Sequence, residues 1–273
     1  MKRRTNLHTH TNYVDGANTP REMIESAIAK GFISLGFSEH AYCAADPGCC
    51  LTPENTPQFY REIRALKAEY ADRITVFLGL EIDGLSPFPT FGLDYCIGSI
   101  HTAVSPDGSI WTVDATPARL QNAIDTAFEG DPLKLVQAYF DRLVPFLIET
   151  KPDIIGHFDL YTKFNEEGQF FDTESPAYQK IVLEAADAVL KADGIFEINS
   201  GAISRGWRKT PYPDPFLLRH IREKGGRILI SSDSHHADTL DTAFDLSVQR
   251  AINAGFTTCW ELTENGFVEA PLV

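Results

Sequence analysis

The chain has 273 residues, 43% of them apolar and 23% charged, the profile of a compact fold able to bury a sizeable core without disulfide or metal staples. Its net charge of −14 argues against a nucleic-acid surface, where phosphates recruit excess Lys and Arg, but leaves room for a small anionic substrate if bound divalent cations invert the local field. No run of about 18 apolar residues occurs and the start, MKRRTNLHTH, carries no apolar leader, so the expectation is a cytoplasmic protein without membrane contact.

In chain order, the first extended run is Arg4–Leu7, followed by His8 and His10. Asn18 or Thr19 can cap a helix with Pro20 at its first position and Gly31 at its end. Ile33–Phe37 leads to His40, Ile74–Leu80 to Glu81 and Tyr95–Ile100 to His101. Asp131–Pro132 opens a helix, after which Asp153–Gly156 leads to His157. Ser175–Pro176 starts a further helix; Gly194 and the pair Gly225–Gly226 end helices just ahead of the last two runs. Those runs are Ile195–Ile198, leading to Asn199, and Arg227–Ser231, leading to Asp233 and His235. No linker, repeat or low-complexity stretch interrupts the pattern, which predicts one α/β domain over 1–273. Short apolar runs alternating with amphipathic helices predict a parallel sheet wrapped by helices.

Each of the seven runs ends in a residue that can bind a cation, and barrels place their chemistry at the C-terminal ends of their strands. Singly, these residues have bland explanations: an HxH pair can be incidental, and a histidine closing an apolar run can be a satisfied core residue. Together they do not. Six of the eight histidines fall just past predicted strands, beside Asp15, Glu81 and Asp233. Nitrogen and oxygen donors in that number exceed one tetrahedral zinc site and suit two or three divalent ions sharing a bridging carboxylate. Such clusters generate hydroxide near neutral pH and clamp attacking and leaving oxygens, which phosphoester hydrolysis requires. The five cysteines do not join this set. Cys43, Cys49 and Cys50 fit no standard zinc spacing, Cys96 and Cys259 stand apart, and all five read as reduced thiols.

In order along the chain, HTHTNYVDG, GFSEH, GLEID, GSIH, GHFDL and SSDSH resemble the ligand motifs of the PHP (polymerase and histidinol phosphatase) superfamily. DYCIGSIH, KPDIIGHFDLYTKFN and FEINSGAISRGWRKTPYPDP narrow the resemblance to its histidinol-phosphate phosphatases, and the likeness runs from Asn6 through the final GFTTCWELTENGFVEAPL. The resemblance implies a distorted, TIM-like (β/α)7 barrel with a trinuclear site. It would place His8, His10, Glu81 and Asp233 around one metal, and Glu81, His101 and His157 around a second. Asp15, His40 and His235 would hold the third. Some relatives carry a histidine where this chain has Asp15; an oxygen donor there favours manganese or iron over zinc.

The implied reaction is hydrolysis of L-histidinol phosphate to L-histidinol and phosphate, a step of histidine biosynthesis, by a metal-bridging hydroxide. Beyond the metals, Arg205 is the first choice to hold the phosphate, since a guanidinium binds phosphate oxygens bidentately, and Lys163 the second. Arg208 and Lys209 read as solvated charges. Tyr42 and Trp207 are aromatic candidates to stack on an imidazole, or else simply pack. His236 is either a neighbour of the site or exposed, and His220 a surface helix residue with no catalytic part. Three other functions share the same residues: a PHP enzyme for another small phosphoester such as a sugar phosphate or nucleotide, a non-catalytic metal-binding protein, and an amidohydrolase-type barrel. The last should carry a carbamylated lysine or its equivalent where Glu81 stands. The sequence does not fix the oligomeric state.

Overall fold

A computed structural model describes residues 4–43, 48–86 and 92–273. The strands are β1 (Arg4–Asn6), β2 (Phe32–Phe37), β3 (Thr75–Asp83), β4 (Tyr95–Ser99), β5 (Thr102–Val104), β6 (Ile110–Thr112), β7 (Ile154–Ile155), β8 (Ile195–Asn199), β9 (Arg227–Ser231), β10 (Thr258–Thr263) and β11 (Gly266–Pro271). The helices are α1 (Pro20–Ala29), α2 (Thr56–Glu69), α3 (Pro117–Ala127), α4 (Pro132–Thr150), α5 (Pro176–Val189), α6 (Gly201–Ser204), α7 (Pro215–Glu223) and α8 (Phe244–Asn253). β1, β2, β3, β4, β7, β8 and β9 form one parallel sheet in that order, so all seven expected strands are present within a few residues of their predicted ends.

The sheet curls into a nearly closed barrel. β1 and β9 meet just beyond their ends, where a parallel bridge pairs Thr9 with Ser234. His10 N–H donates to Ser234 O (2.9 Å) and Ser234 N–H to His8 O (3.2 Å). Below that bridge a side chain completes the join: Asn6 Nδ2 donates to Ser232 Oγ at 2.6 Å while its Oδ1 accepts from Ser232 N–H at 3.3 Å.

Local sequence accounts for the outer helices. Thr19 caps α1 with Glu22 reaching back to the Thr19 N–H, Pro20 fills the first helical position, and Gly31 follows at φ 78°. Asp131 caps α4 through Leu133 N–H at 2.9 Å. The apolar faces of these helices pack on the outside of the sheet and make the larger core, with Met23, Phe59, Tyr139 and Val182 fully buried.

A second, smaller core fills the barrel near the N-terminal ends of its strands. Leu7, Phe77, Tyr95, Ile97, Ile154, Ile195 and Leu229 meet there with Leu262, and Trp260 and Phe267 pack against them. Tyr95 needs the space that glycines leave: a Cβ on Gly36 or Gly79 would stand 2.4 Å from its ring or hydroxyl. Its hydroxyl donates to Leu7 O. The antiparallel hairpins β5–β6 and β10–β11, outside the expected βα alternation, supply a flap beside the C-terminal ends of the strands and a plug under the N-terminal ends. Among the described residues no helix is long and apolar enough to cross a membrane. Cys43 N–H donates to Cys50 Sγ at 3.1 Å.

Candidate metal centre

The residues that follow the strands converge on Glu81, at the end of β3. Strand side chains alternate, so Phe77, Gly79 and Glu81 share the inward face and only the last stands at the mouth. Its Oε1 lies 2.9 Å from His157 Nε2 and 3.7 Å from His101 Nε2. Its Oε2 lies 3.0 Å from His40 Nδ1, 3.3 Å from His8 Nε2 and 3.6 Å from His10 Nε2. Asp233 Oδ1 faces the same pair from the far side, 3.7 Å from His8 Nε2 and 3.4 Å from His10 Nε2. Toward solvent, Asp15 Oδ2 lies 3.1 Å from His235 Nε2 and 3.8 Å from His40 Nε2.

Four overlapping groups could each hold a cation: His8 with His10 and Asp233; His8 with Glu81 and His157; His40 with Glu81 and His101; and His10 with Asp15, His40 and His235. All nine expected residues are therefore in one cluster. Their grouping differs in detail from the expected sets: His10 reaches the outer group as well as the inner one, and His101 and His157, both nearest Glu81 Oε1, fall in different groups, with His40 and His8 respectively. No cysteine takes part among the described residues.

The electrostatics fit cations. His8 Nε2, both ring nitrogens of His10, Glu81 Oε2 and His157 Nδ1 are buried without a hydrogen-bond partner. Bare donor atoms converging in a buried site are costly unless an ion satisfies them. Burial would raise the Glu81 carboxyl, yet His8, His40 and His157 hold it well below the usual range. Asp233 is likewise depressed against its burial by Arg205 and His8. Burial and the neighbouring His235 and His40 push His10 down to about 3, leaving it a neutral imidazole. His101 goes the other way: against burial, Asp83 and Glu81 lift it to about 9.

A surrounding layer of carboxylates escaped the sequence reading. Glu197, on β8, meets His8 Nδ1 at 2.6 Å and accepts from His157 N–H at 2.8 Å. Asp83 accepts from His101 N–H (3.1 Å) and lies 3.4 Å from its Nδ1. Glu39 accepts from Thr11 N–H at 2.6 Å, and burial lifts its carboxyl to about 8. Asp114, beside the mouth, accepts from Lys163 Nζ through its carbonyl (2.8 Å) and carboxylate (3.3 Å). The signal for Glu197 and Asp83 was a charge inside an apolar run. Asn199 stands apart from the four groups; its Nδ2 donates to Glu197 Oε2 (2.9 Å) and Asp233 Oδ2 (3.3 Å).

Arg205 and Lys163 line a cavity of about 190 Å³ over the cluster, together with Asp15, His40, His101 and Asp114. Arg205 Nη2 donates to Asp233 Oδ2 at 2.9 Å, and Nη1 lies 3.0 Å from His235 Nδ1. The close approach depends on Gly201, whose Cβ would stand 2.7 Å from both Arg205 Nη2 and Asp233 Oδ2. Asp233 itself takes a left-handed backbone, φ 48°, which a short polar residue tolerates at modest cost.

Arg208 overturns its expectation. It is buried, donating to Thr162 Oγ1 (2.5 Å) and Asp214 Oδ1 (3.0 Å) and stacking over Tyr212. A loop cation thus serves as a peg between the segment after β7 and the one after β8. Lys209 is exposed and paired with Glu167, Trp207 packs edge-on against Phe164 while 43% exposed, and Tyr42 is half-buried. His236 is exposed, and His220, in the last turn of α7, pairs with Asp187 at 2.7 Å.

The fold and cluster define a barrel with candidate metal-binding groups at its mouth, and comparison with known proteins places it. A profile of the PHP domain matches residues 6–201, and the chain belongs to the PHP family. A probable histidinol-phosphatase of Schizosaccharomyces pombe is 29% identical over 259 residues, covering 87% of this chain and 81% of that one. The histidinol-phosphatase of Bacillus subtilis is 25% identical over 264 residues, 89% and 97% of the two chains. Among solved structures, the histidinol phosphate phosphatase of Lactococcus lactis, complexed with zinc, L-histidinol and phosphate, superposes with a TM-score of 0.72. It shares 22% identity, covering 97% of this chain and 99% of that one, and bears out the seven-stranded barrel.

Proposed function

We propose that this protein hydrolyses L-histidinol phosphate to L-histidinol and phosphate, with two or three divalent ions held by His8, His10, Asp15, His40, Glu81, His101, His157, Asp233 and His235. The observation that carries the reading is the convergence of five histidines within 3.7 Å of the Glu81 carboxylate, with buried donor atoms left bare. The shared name of the relatives supports the substrate. Bound ions of this kind supply Lewis acidity and lower the pKa of water toward neutrality. A glutamate at the bridging position, where amidohydrolase-type barrels would need a carbamylated lysine, supports phosphoester over C–N chemistry.

The chain's own residues hold the substrate. Arg205 and Lys163 are the cations of the cavity that belong to none of the four groups, and both are braced, by Asp233 and Asp114 respectively. Bracing removes the entropy cost of ordering a long side chain when a phosphate arrives. Arg205→Ala should lower kcat/KM by about 2–4 kcal/mol of transition-state stabilisation, the scale of one lost charge-assisted contact in a desolvated site.

The test of the function is elemental analysis after reconstitution with zinc, manganese or iron, alongside phosphate release from histidinol phosphate and a panel of sugar phosphates and nucleotides. More than one ion per chain, with preference for histidinol phosphate, is the expected result. At most one ion, or preference for another monoester, overturns the cluster or the substrate respectively.

A further inference from the structure

Glu197 lies in the middle of β8, in the run Ile195–Asn199, and is 1% exposed. A carboxylate pointing into a barrel is expensive unless its oxygens are fully used. They are. Oε2 accepts from His157 N–H (2.8 Å) and from Asn199 Nδ2 (2.9 Å), both of which can only donate. The Asn199 amide is oriented unambiguously because its Oδ1 accepts from Gly201 N–H at 2.8 Å. Oε1 accepts from Ser231 Oγ and meets His8 Nδ1 at 2.6 Å. Three donors on its two oxygens are the surroundings of an ionised, acceptor-only carboxylate, and the fourth partner, His8 Nδ1, is then an N–H. The other nitrogen of that ring, Nε2, then points at Glu81 Oε2 (3.3 Å) and Asp233 Oδ1 (3.7 Å) and forms no hydrogen bond with either.

We propose that Glu197 is a positioning residue, fixing His8 as its Nδ1–H tautomer so that Nε2 is the atom presented to a cation between Glu81 and Asp233. The same carboxylate anchors the backbone of His157, so one side chain on β8 sets the position of two cluster residues delivered by β1 and β7. A buried carboxylate behind a metal-binding histidine orients the ring and raises its basicity. The inference rests on the metal reading above and adds a residue outside the nine.

The test uses full-length protein labelled with 15N and reconstituted with zinc. His8 should show a protonated Nδ1 and a zinc-bound Nε2. Glu197→Gln offers four donors a single acceptor oxygen and an NH2 group, and zinc affinity should fall about 10–100-fold. Ser231→Ala removes another donor from the same carboxylate without touching His8 and should keep near wild-type zinc affinity. Were Glu197 a merely structural peg, the two variants would lose stability alike and bind zinc alike. Zinc bound through His8 Nδ1, or wild-type affinity in Glu197→Gln, overturns this inference while leaving the proposed function standing. A wild-type protein that takes up no ion overturns both. The labelled wild-type spectrum distinguishes the two tautomers even if Glu197→Gln fails to fold.

Discussion

The two ends of the barrel are built from the same strands with opposite chemistry. On β3 the inward positions run Phe77, Gly79, Glu81; on β8 they run Ile195, Glu197, Asn199; on β9 and beyond, Leu229, Ser231, Asp233. β3 and β9 therefore begin in the apolar plug around Tyr95 and Leu262 and lead to the cluster around Glu81, while β8 begins in the same plug and ends in the Glu197 and Asn199 that support the cluster. The plug obtains its stability from burial and close packing, which need no partner beyond the chain. The cluster is the reverse: buried nitrogens and oxygens that the protein leaves unsatisfied. Stability is thus concentrated at one end of each strand, and the cost of binding chemistry at the other.

Glu81→Gln tests the polar end and should have the largest effect. Removing the charge shared by the groups should lower turnover by more than about a hundredfold, beyond what loss of a supporting partner causes, and release at least one ion. Thermal unfolding should stay cooperative, because the plug and the outer core do not depend on the mouth. If the charge were a strained core residue instead, Glu81→Gln would be active, metal-replete and more stable. Leu262→Ala tests the apolar end. It should cost about 2–4 kcal/mol in denaturant unfolding, from lost burial and the cavity left behind, with kcat unchanged. A change in turnover without a change in stability would show that the plug and the mouth are coupled. The smallest effect is in the protein stripped of metal. His101 is lifted to about 9 by Asp83 and Glu81, above its ordinary value near 6.5, so its contribution is complete below pH 6.5 and fades as pH rises through 9. Metal-free protein should lose on the order of 1–3 kcal/mol across that window, read by thermal unfolding at several pH values. Metal-loaded protein, with an ion in the proton's place, should not.

The polar end was the more legible in sequence. An apolar run followed by His or a carboxylate is a pattern a single chain displays, and it holds for six of the seven runs, the other leading to Asn199. What joins His10 to two groups, or puts His101 and His157 in different ones, depends on ring orientations across strands far apart in sequence. The apolar end was read least well. β10–β11 alternates rather than running apolar, so a scan for buried parallel strands passes over it, although Asn265–Gly266 between its two halves is a hairpin signal with Gly266 at φ 98°. Arg208 misled for the opposite reason: composition says surface, and only the folded chain brings Thr162 and Asp214 to meet it.

The join between β1 and β9 carries a consequence for how the barrel holds together. Six of the seven strand junctions are ladders, whereas this one is a single bridge at Thr9–Ser234 backed by the Asn6–Ser232 contacts. His8 and His10 lie on one lip of that seam and Asp233 and His235 on the other. An ion gripped by His8, His10 and Asp233 would be a rivet through both lips, placed where the hoop has fewest backbone stitches. The weakest junction of the wall would then be fastened by the cargo of the mouth, so that emptying the site would also loosen the hoop along this one line.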